Sequence, residues 1–293
     1  MKLPPILIIL CLLPLLLHTA IGNTSEPTIK VLIVDGFSNH DWEATTEDIK
    51  AMLSDDALFS YEVSTVPAED AAEWGAWLPD FSRYDVVIQN TTDINVDGSW
   101  PRPAQIALEQ FVSGGGGLYI FHSANNAFPE WHEYNRMIGL GWRKKDFGPA
   151  IQIIDGVSVL IPAGEGGNTG HGKRKDTVVT RMNDHPIHQG LPQQWLAADL
   201  EIYRYARGPA ENLTVISYAK ELKTGINFPI EWVIQYGEGR VFNSTYGHHW
   251  HTQTEPPAGI RCVAFQTVFK RAIQWLAHRE IDPGVPVSFP SIP

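Results

Sequence analysis

The chain has 293 residues and is acidic, with 22 Lys and Arg against 33 Asp and Glu and a formal net charge of −11. This balance argues against a nucleic-acid partner, because neutralising phosphates takes clustered Lys and Arg. Hydrophobic residues make up 43% of the chain, which is enough for a packed core.

Residues 1–22 are predicted to be a secretory signal peptide. A short basic start is followed by an apolar run over residues 6–17 and by small residues at −3 and −1 of a cut after Gly22. The apolar run is too short to cross a bilayer. We therefore expect a secreted or periplasmic protein without a membrane span, in which residues 23–293 form one domain.

The first half of that domain alternates strands with helices. "IKVLIVDG" (29–36), "YDVVIQN" (84–90) and "GLYIFHS" (117–123) are continuous apolar runs, typical of parallel strands that are buried on both faces. Amphipathic helices are predicted between them, over residues 41–55 and 103–115. This alternation predicts an α/β fold with a mostly parallel sheet.

The second half of the domain has a different sequence pattern. "PIEWVIQYGEGRVFNSTYG" (229–247) predicts a hairpin whose strands join at "GEGR", and residues 258–279 are predicted to form one closing helix. Cys262, the single cysteine beyond the signal peptide, lies in an apolar stretch of that helix. Such a cysteine is typical of a buried thiol rather than a nucleophile, and it can form no intramolecular disulfide.

Polar side chains follow four of the predicted strands where each strand ends. Ligands of open α/β sheets bind beyond the carboxyl ends of the strands, so one pocket is expected to collect these side chains. Three of the four ends carry histidine: His40, His122 and the run "HHWH" of His248, His249 and His251. The other residues expected to bind substrate there are Asn39, Trp42, Asn90, Asp93, Ser123, Asn125 and Trp250.

His248 and His249 are adjacent, and adjacent residues of an extended strand point to opposite sides. Only one of the two is therefore expected in the pocket. The alternation along the strand places His248 on the face of Phe242 and Tyr246, and we prefer it as the inward residue. A bend at Gly247 would reverse this alternation and direct His249 inward instead.

The remaining histidines are interpreted as structural or surface residues. His185 and His188 belong to "NDHPIHQG", which has the composition of a turn, and His171 lies in a glycine-rich charged loop. His132 and His278 fall on predicted helices as surface residues.

Six motifs together resemble the ThuA-like (trehalose-utilisation) family across nearly the whole mature chain. They are "DGFSNHDW" (35–42), "GGGGLYIFHSA" (114–124), "NDHPIHQGLP" (183–192), "ADLEIYRY" (198–205), "PIEWVIQYGEGRVFNSTYGH" (229–248) and "RAIQWLAH" (271–278). The resemblance implies a fold similar to class I glutamine amidotransferases, a flavodoxin-like three-layer sandwich. It also implies a role in disaccharide catabolism, where keto-sugar intermediates are processed.

One departure from the amidotransferases matters for the chemistry. His122 stands at the strand end where those enzymes carry a nucleophilic cysteine, and the adjacent Ser123 lacks the G-x-S-x-G surroundings of a hydrolase elbow. Thiol-based glutamine hydrolysis is therefore not expected.

Two mechanisms remain open from the sequence. In the first, His40, His122 and either His248 or His249 bind a divalent metal such as zinc, with Glu201 as a candidate fourth ligand. In the second, His40, His122, His248 and Glu201 act without metal as general acids and bases.

The expected substrate is a small sugar. Trp42, Trp131 and Trp250 lie near the predicted site segments, and flat aromatic faces beside polar side chains suit sugar rings. We expect an exported enzyme that acts on 3-keto glycosides or disaccharides by lyase, isomerase or hydrolase chemistry. The alternative is a non-catalytic carbohydrate-binding protein that has kept the pocket.

Overall fold

The computed structural model describes Met1 and residues 28–292, so the predicted signal peptide lies outside the described residues, apart from Met1. The strands are β1 (Ile29–Asp35), β2 (Phe59–Thr65), β3 (Val86–Gln89), β4 (Gly117–Ile120), β5 (Ala150–Ile154), β6 (Val157–Ile161), β7 (Gly170–His171), β8 (Lys175–Arg181), β9 (Gln194–Leu200), β10 (Tyr203–Arg204), β11 (Leu213–Lys220), β12 (Asn227–Tyr236) and β13 (Gly239–Ser244). The helices are α1 (Trp42–Ser54), α2 (Arg102–Ser113), α3 (His132–Ile138), α4 (Ala258–Arg261) and α5 (Val263–Leu276). Within the described part of the chain, no helix has the length and hydropathy to span a bilayer.

A large mixed sheet runs through the molecule in the order β2-β1-β3-β4-β13-β12-β11-β8-β9, and β5 joins it at β12 and pairs with β6. The strands from β2 to β13 in this order are parallel, and those from β13 to β9 are antiparallel. The parallel part therefore aligns the carboxyl ends of β1, β3, β4 and β13 at one edge. This edge is where the predicted pocket residues follow their strands.

Both faces of the parallel strands are buried. Along β1, Val31 and Ile33 contact one core and Leu32 and Val34 the other, as expected where side chains alternate along a strand. The first core includes residues of α1 and α5, and the second includes residues of α2 and α3. The predicted three-layer sandwich is thereby confirmed.

The hairpin is confirmed as well: β12 and β13 pair antiparallel, with Tyr236 opposite Gly239 across the two intervening residues. The single closing helix is a wrong prediction. Cys262 has an extended backbone (φ −65°, ψ 120°) and separates α4 from α5. The chain turns there because α4 packs on β9, whereas α5 packs chiefly on β4 and β13. The Cys262 side chain is buried, as predicted.

Candidate active site

Three histidine rings meet where β1, β4 and β13 end. The ring centroids of His40, His122 and His248 lie 4.7 to 5.1 Å apart in every pair. One nitrogen from each ring can be chosen so that all three lie within 4.8 Å of one another. Residues separated by more than 200 positions thus form one triangle, which we call the histidine triangle.

His122 occupies a sharp turn directly after β4 and Phe121. Its φ of +43° is in the left-handed region, which is unfavourable for a residue with a Cβ and is found disproportionately at functional sites. Its Nδ1 lies 2.9 Å from the carbonyl oxygen of Thr245. A carbonyl only accepts, so Nδ1 carries the proton and Nε2 keeps its lone pair. That buried Nε2 has no hydrogen-bond partner among the described residues.

His40 is oriented in the same way by its neighbour. Its Nδ1 lies 2.8 Å from Oδ1 of Asn39, and its backbone N–H donates to Oγ of Ser38 at 3.0 Å. Because the amide oxygen accepts, the ring proton belongs on Nδ1, and the Nε2 lone pair is available to a ligand. Asn39 thereby sets the tautomer of His40, as carbonyl groups commonly do for metal-binding histidines.

His248 and His249 separate at a bend after β13. Gly247 has φ +105°, and a Cβ there would lie 2.5 Å from the ring of Phe121. Beyond this bend, His248 joins the triangle. His249 instead turns its ring away, with Nδ1 2.7 Å from Oδ2 of the buried Asp48. The prediction that His249 is a metal ligand is therefore corrected, because its ring is held by a carboxylate outside the triangle.

Arg174 reaches the triangle from the glycine-rich loop. Its Nη1 lies 2.8 Å from Nδ1 and 2.7 Å from Nε2 of His248, and its Nε forms an ion pair with Asp199 at 3.3 Å. A guanidinium only donates, so the ring of His248 is the acceptor and is neutral. Arg174 is also the cation that the site presents beside its histidines.

Glu201 lies beside the triangle, between β9 and β10. Its carboxylate oxygens are 3.7 Å from Nε2 of His248 and 3.6 Å from Nδ1 of His171. Burial raises the pKa of the Glu201 carboxyl, and the nearby His171 and Arg174 oppose this shift only in part. A carboxyl group with a raised pKa is suited to proton transfer near neutral pH.

The triangle itself is held uncharged. Burial, followed by the nearby His251, Arg174 and His171, lowers the pKa of His40 to about 4. Burial together with His40, Arg174 and His171 lowers the pKa of His248 to about 2. The pKa of His122 is also well below its usual value, mainly through burial. At neutral pH all three rings are therefore uncharged, and a neutral imidazole can bind a metal cation.

His40 and His248 of the triangle line a cavity of about 570 Å³. Two half-exposed tryptophans, Trp142 and Trp250, are part of its wall, and Trp250 stacks on His248 with ring centroids 5.9 Å apart. The cavity is lined by Asn39, His40, Ile94, Asn95, Asn126, Trp142, His171, Arg174, Glu201, Tyr203, His248, Trp250, Thr252 and Gln253. This volume accommodates a sugar ring and a substituent.

Of the residues predicted to bind substrate, Asn39 and Trp250 line the cavity and the others do not. Asn90 donates to the backbone oxygen of Trp42, and Asp93 accepts from the backbone of Phe128. Asn125 donates to the backbone oxygen of Ser244 across the strand ends. These side chains satisfy buried backbone groups, so they are corrected to structural roles. The others that do not line the cavity are Trp42, Ser123 and Trp131.

Several cavity residues were missed because they come from the antiparallel half. Arg174 lies in the glycine-rich loop and Tyr203 in "ADLEIYRY", both of which the sequence shows without indicating that they face the strand ends. Burial and the nearby Glu201 raise the pKa of Tyr203 well above its usual value, so its hydroxyl stays protonated. Trp142 also lines the cavity, and its backbone N–H donates to Oδ1 of Asn126 at 2.9 Å. Asn126 itself follows β4, at one of the strand ends where polar side chains are expected.

Comparisons with known proteins show which family and which solved structures this chain is similar to. The family described as "ThuA: Trehalose utilisation" matches residues 30–276. A ThuA-like protein from Parabacteroides merdae is 29% identical, with a TM-score of 0.83 over 90% of this chain and 95% of its own. A ThuA-like protein from Bacteroides uniformis is 17% identical, with a TM-score of 0.53 over 86% of this chain and 94% of its own.

A glutamine amidotransferase from Thermotoga maritima is 9% identical, with a TM-score of 0.39 over 85% of this chain and 99% of its own. No match was found among curated proteins. The predicted family is confirmed, and the layered α/β fold is shared with the ThuA-like protein from Parabacteroides merdae. The chain belongs to the ThuA family, whose link to trehalose utilisation implies a role in sugar metabolism.

Proposed function

We propose that this protein is an exported enzyme of sugar catabolism that holds a divalent metal, such as zinc, on the histidine triangle. Its proposed substrates are 3-keto glycosides or disaccharides, processed by lyase, isomerase or hydrolase chemistry. The observation that carries this proposal is the meeting of three neutral imidazoles from three separate strand ends, two of which, His40 and His248, line one cavity while His122 is buried behind them.

The donor set fits a metal of this kind. Thr245 and Asn39 accept from the Nδ1 atoms of His122 and His40, which leaves both Nε2 atoms free as ligands. The orphaned, buried Nε2 of His122 costs free energy unless something binds it. His40, His122 and His248 would hold the metal, and His248 would then no longer accept from Arg174.

A bound divalent cation would polarise a sugar carbonyl and make the adjacent C–H more acidic. The chain supplies the rest of this chemistry. Glu201, with its raised pKa, takes a proton from the carbon next to the carbonyl and returns it to a neighbouring atom or to a leaving group. The protonated hydroxyl of Tyr203 donates a hydrogen bond to the substrate. Trp250 offers a flat face against which a sugar ring can pack.

The test combines elemental analysis with a turnover assay. The purified protein should hold about one equivalent of a divalent metal per chain, and it should consume 3-keto-trehalose or a 3-keto-glucoside. Chelation should stop turnover, and adding zinc back should restore it. Full activity in a metal-free preparation would exclude the metal-dependent mechanism and favour the acid–base mechanism. Sugar binding without turnover of any keto-glycoside would favour the non-catalytic alternative.

The proposed export is tested separately. The protein is expressed from the full sequence in a bacterial host, and the mature N-terminus is determined in the periplasm and the medium. Mass spectrometry should find a chain that begins at Asn23. An intact chain recovered from the cytoplasm would contradict the proposal.

A further inference from the structure

A second groove adjoins the cavity and shares three residues with it, namely His171, Arg174 and Glu201. Its volume is about 600 Å³. It lies along the glycine-rich loop and the turn between β11 and β12. We call it the basic groove, and it is lined by His171, Gly172, Lys173, Arg174, Asp199, Glu201, Arg204 and Lys223.

The charge of this groove opposes that of the whole protein. Four of its side chains are Lys or Arg and two are carboxylic acids, whereas the full chain carries a net charge of −11. One acid, Asp199, is already paired with Arg174 at 3.3 Å. The other, Glu201, is buried, so the three cationic side chains other than Arg174 face this one carboxyl group. The groove is therefore a positive region beside the candidate site of an acidic protein.

Its lysines are not used to stabilise the fold. Lys173 and Lys223 are exposed and form no ion pair or side-chain hydrogen bond within the described residues. Arg204 donates to the backbone oxygen of His171 and thereby holds the loop against β10. The nearby Glu221 is buried and accepts from the backbone and hydroxyl of Thr224. Two ammonium groups are thus left to face the groove.

We infer that the substrate carries an anionic group, a carboxylate or a phosphate, which binds in the basic groove while its sugar ring lies against the histidine triangle. Arg174 supports this arrangement because it lines both spaces and contacts His248. A guanidinium released from His248 would bind a carboxylate or phosphate in a bidentate geometry. The positive charge of the groove would also attract anionic sugars, which the net negative charge of the rest of the protein repels. This inference rests on the proposed function for its site and narrows the substrate class.

Calorimetric titrations with glucose, glucuronate and glucose 6-phosphate test the inference directly. At low ionic strength, at least one of the two anionic sugars should bind tenfold or more tightly than glucose. Raising the salt concentration should weaken the binding of the anionic sugar and leave the binding of glucose unchanged, because salt screens exposed charges. The two anionic sugars distinguish a carboxylate site from a phosphate site.

Two matched charge-reversal variants test whether the preference for anionic sugars depends on the basic groove. Lys223→Glu should remove most of the preference for the anionic sugar. Lys30→Glu makes the same charge change at the opposite end of β1 and should leave the preference intact. Both positions are exposed, so both variants should fold.

Equal affinity for all three sugars, no binding of any of them, or an equal effect of both variants would overturn the inference. The proposed function fails on a different result, namely the absence of keto-glycoside turnover. A protein that turns over neutral keto-glucosides and binds charged and neutral sugars alike would keep the function and lose the basic-groove assignment.

Discussion

Two groups of histidines in this molecule differ in the atoms that their ring nitrogens contact. His188 and His249 each pair with a buried carboxylate, Glu231 at 2.9 Å and Asp48 at 2.7 Å. In the histidine triangle, by contrast, Nδ1 of His40 and Nδ1 of His122 each bond a neutral oxygen acceptor, and the three rings face one another. An imidazole held by a carboxylate links two parts of the fold, whereas neutral rings that meet one another can share a ligand.

The comparison also separates two adjacent residues. His248 and His249 follow the same strand and differ by one position, yet one belongs to each group. The bend at Gly247 directs them apart, and Asp48 on α1 provides the partner that holds His249. The role of each histidine therefore depends on the group that its ring contacts in the folded protein, and not on the local sequence.

The largest expected effect comes from His122→Ala. Removing this ligand should lower the bound metal from about one equivalent to less than a tenth. Activity should fall by more than the roughly 10–100-fold typical of residues that only orient a ligand. Elemental analysis, turnover and circular dichroism measure these changes. His132→Ala, at an exposed position, is the control and should change none of them. A His122→Ala variant that keeps its metal would break the distinction between the two groups.

His248→Ala and His249→Ala test the comparison most directly. His248→Ala should lose the metal with little change in the free energy of unfolding. His249→Ala should keep the metal but lose about 2–4 kcal/mol of stability, because it leaves the buried Asp48 without its partner. Urea unfolding and elemental analysis of both variants separate these outcomes. The reverse pattern would show that the two roles are assigned the wrong way round.

Gly247→Ala should disturb the bend on which this separation depends. The new Cβ would lie 2.5 Å from the ring of Phe121, at a φ of +105° that L-residues rarely adopt. We expect a loss of about 2–3 kcal/mol in the free energy of unfolding. Gly75→Ala is the matched control, since its Cβ would meet nothing within 4 Å and should be nearly neutral. Equal stability of the two variants would contradict the close approach.

The pH dependence of stability gives a smaller effect. The pKa of His40 is about 4 in the folded protein, below its ordinary value of 6.5, so the unfolded chain binds more protons between these two pH values. Stability of the metal-free protein should therefore fall as the pH drops from about 6.5 to about 4. His185, outside the triangle, also has a pKa lowered to about 4, mainly by burial.

Variants of these two residues sharpen the measurement. His40→Gln and His185→Gln should each flatten the loss of stability between pH 6.5 and pH 4, as followed by urea midpoints. Only His40→Gln should also remove the stabilisation by added zinc. Zinc that stabilises His40→Gln as strongly as the unmodified protein would place the metal elsewhere.

Cys262→Ser should have the smallest effect. The buried thiol packs between α4 and α5, and its sulfur lies 3.9 Å from the backbone oxygen of Leu196. We expect a loss of about 1 kcal/mol from burying a hydroxyl there, with activity intact. Turnover measured on the folded variant checks this, and complete loss of activity would contradict the assigned site.

Much of the fold was accessible from the sequence because it depends on local patterns. Continuous apolar runs marked β1, β3 and β4, and the glycines of "GEGR" marked the hairpin. The strand-end rule then placed His40, His122 and the "HHWH" run at one edge. The closing helix was predicted as continuous because nothing in its local pattern shows that its two parts pack on different strands.

The sequence by itself determined the family, the layered architecture and which strand ends carry histidine. The tertiary structure alone decided that His248 faces the triangle, that His249 pairs with Asp48, and that Asn90 and Asp93 bind backbone groups. It also brought Arg174 and Tyr203 to the site from the antiparallel half. Periodicity fixes the direction of a side chain only while a strand continues. Beyond the strand ends, direction depends on contacts between residues that are distant in the chain.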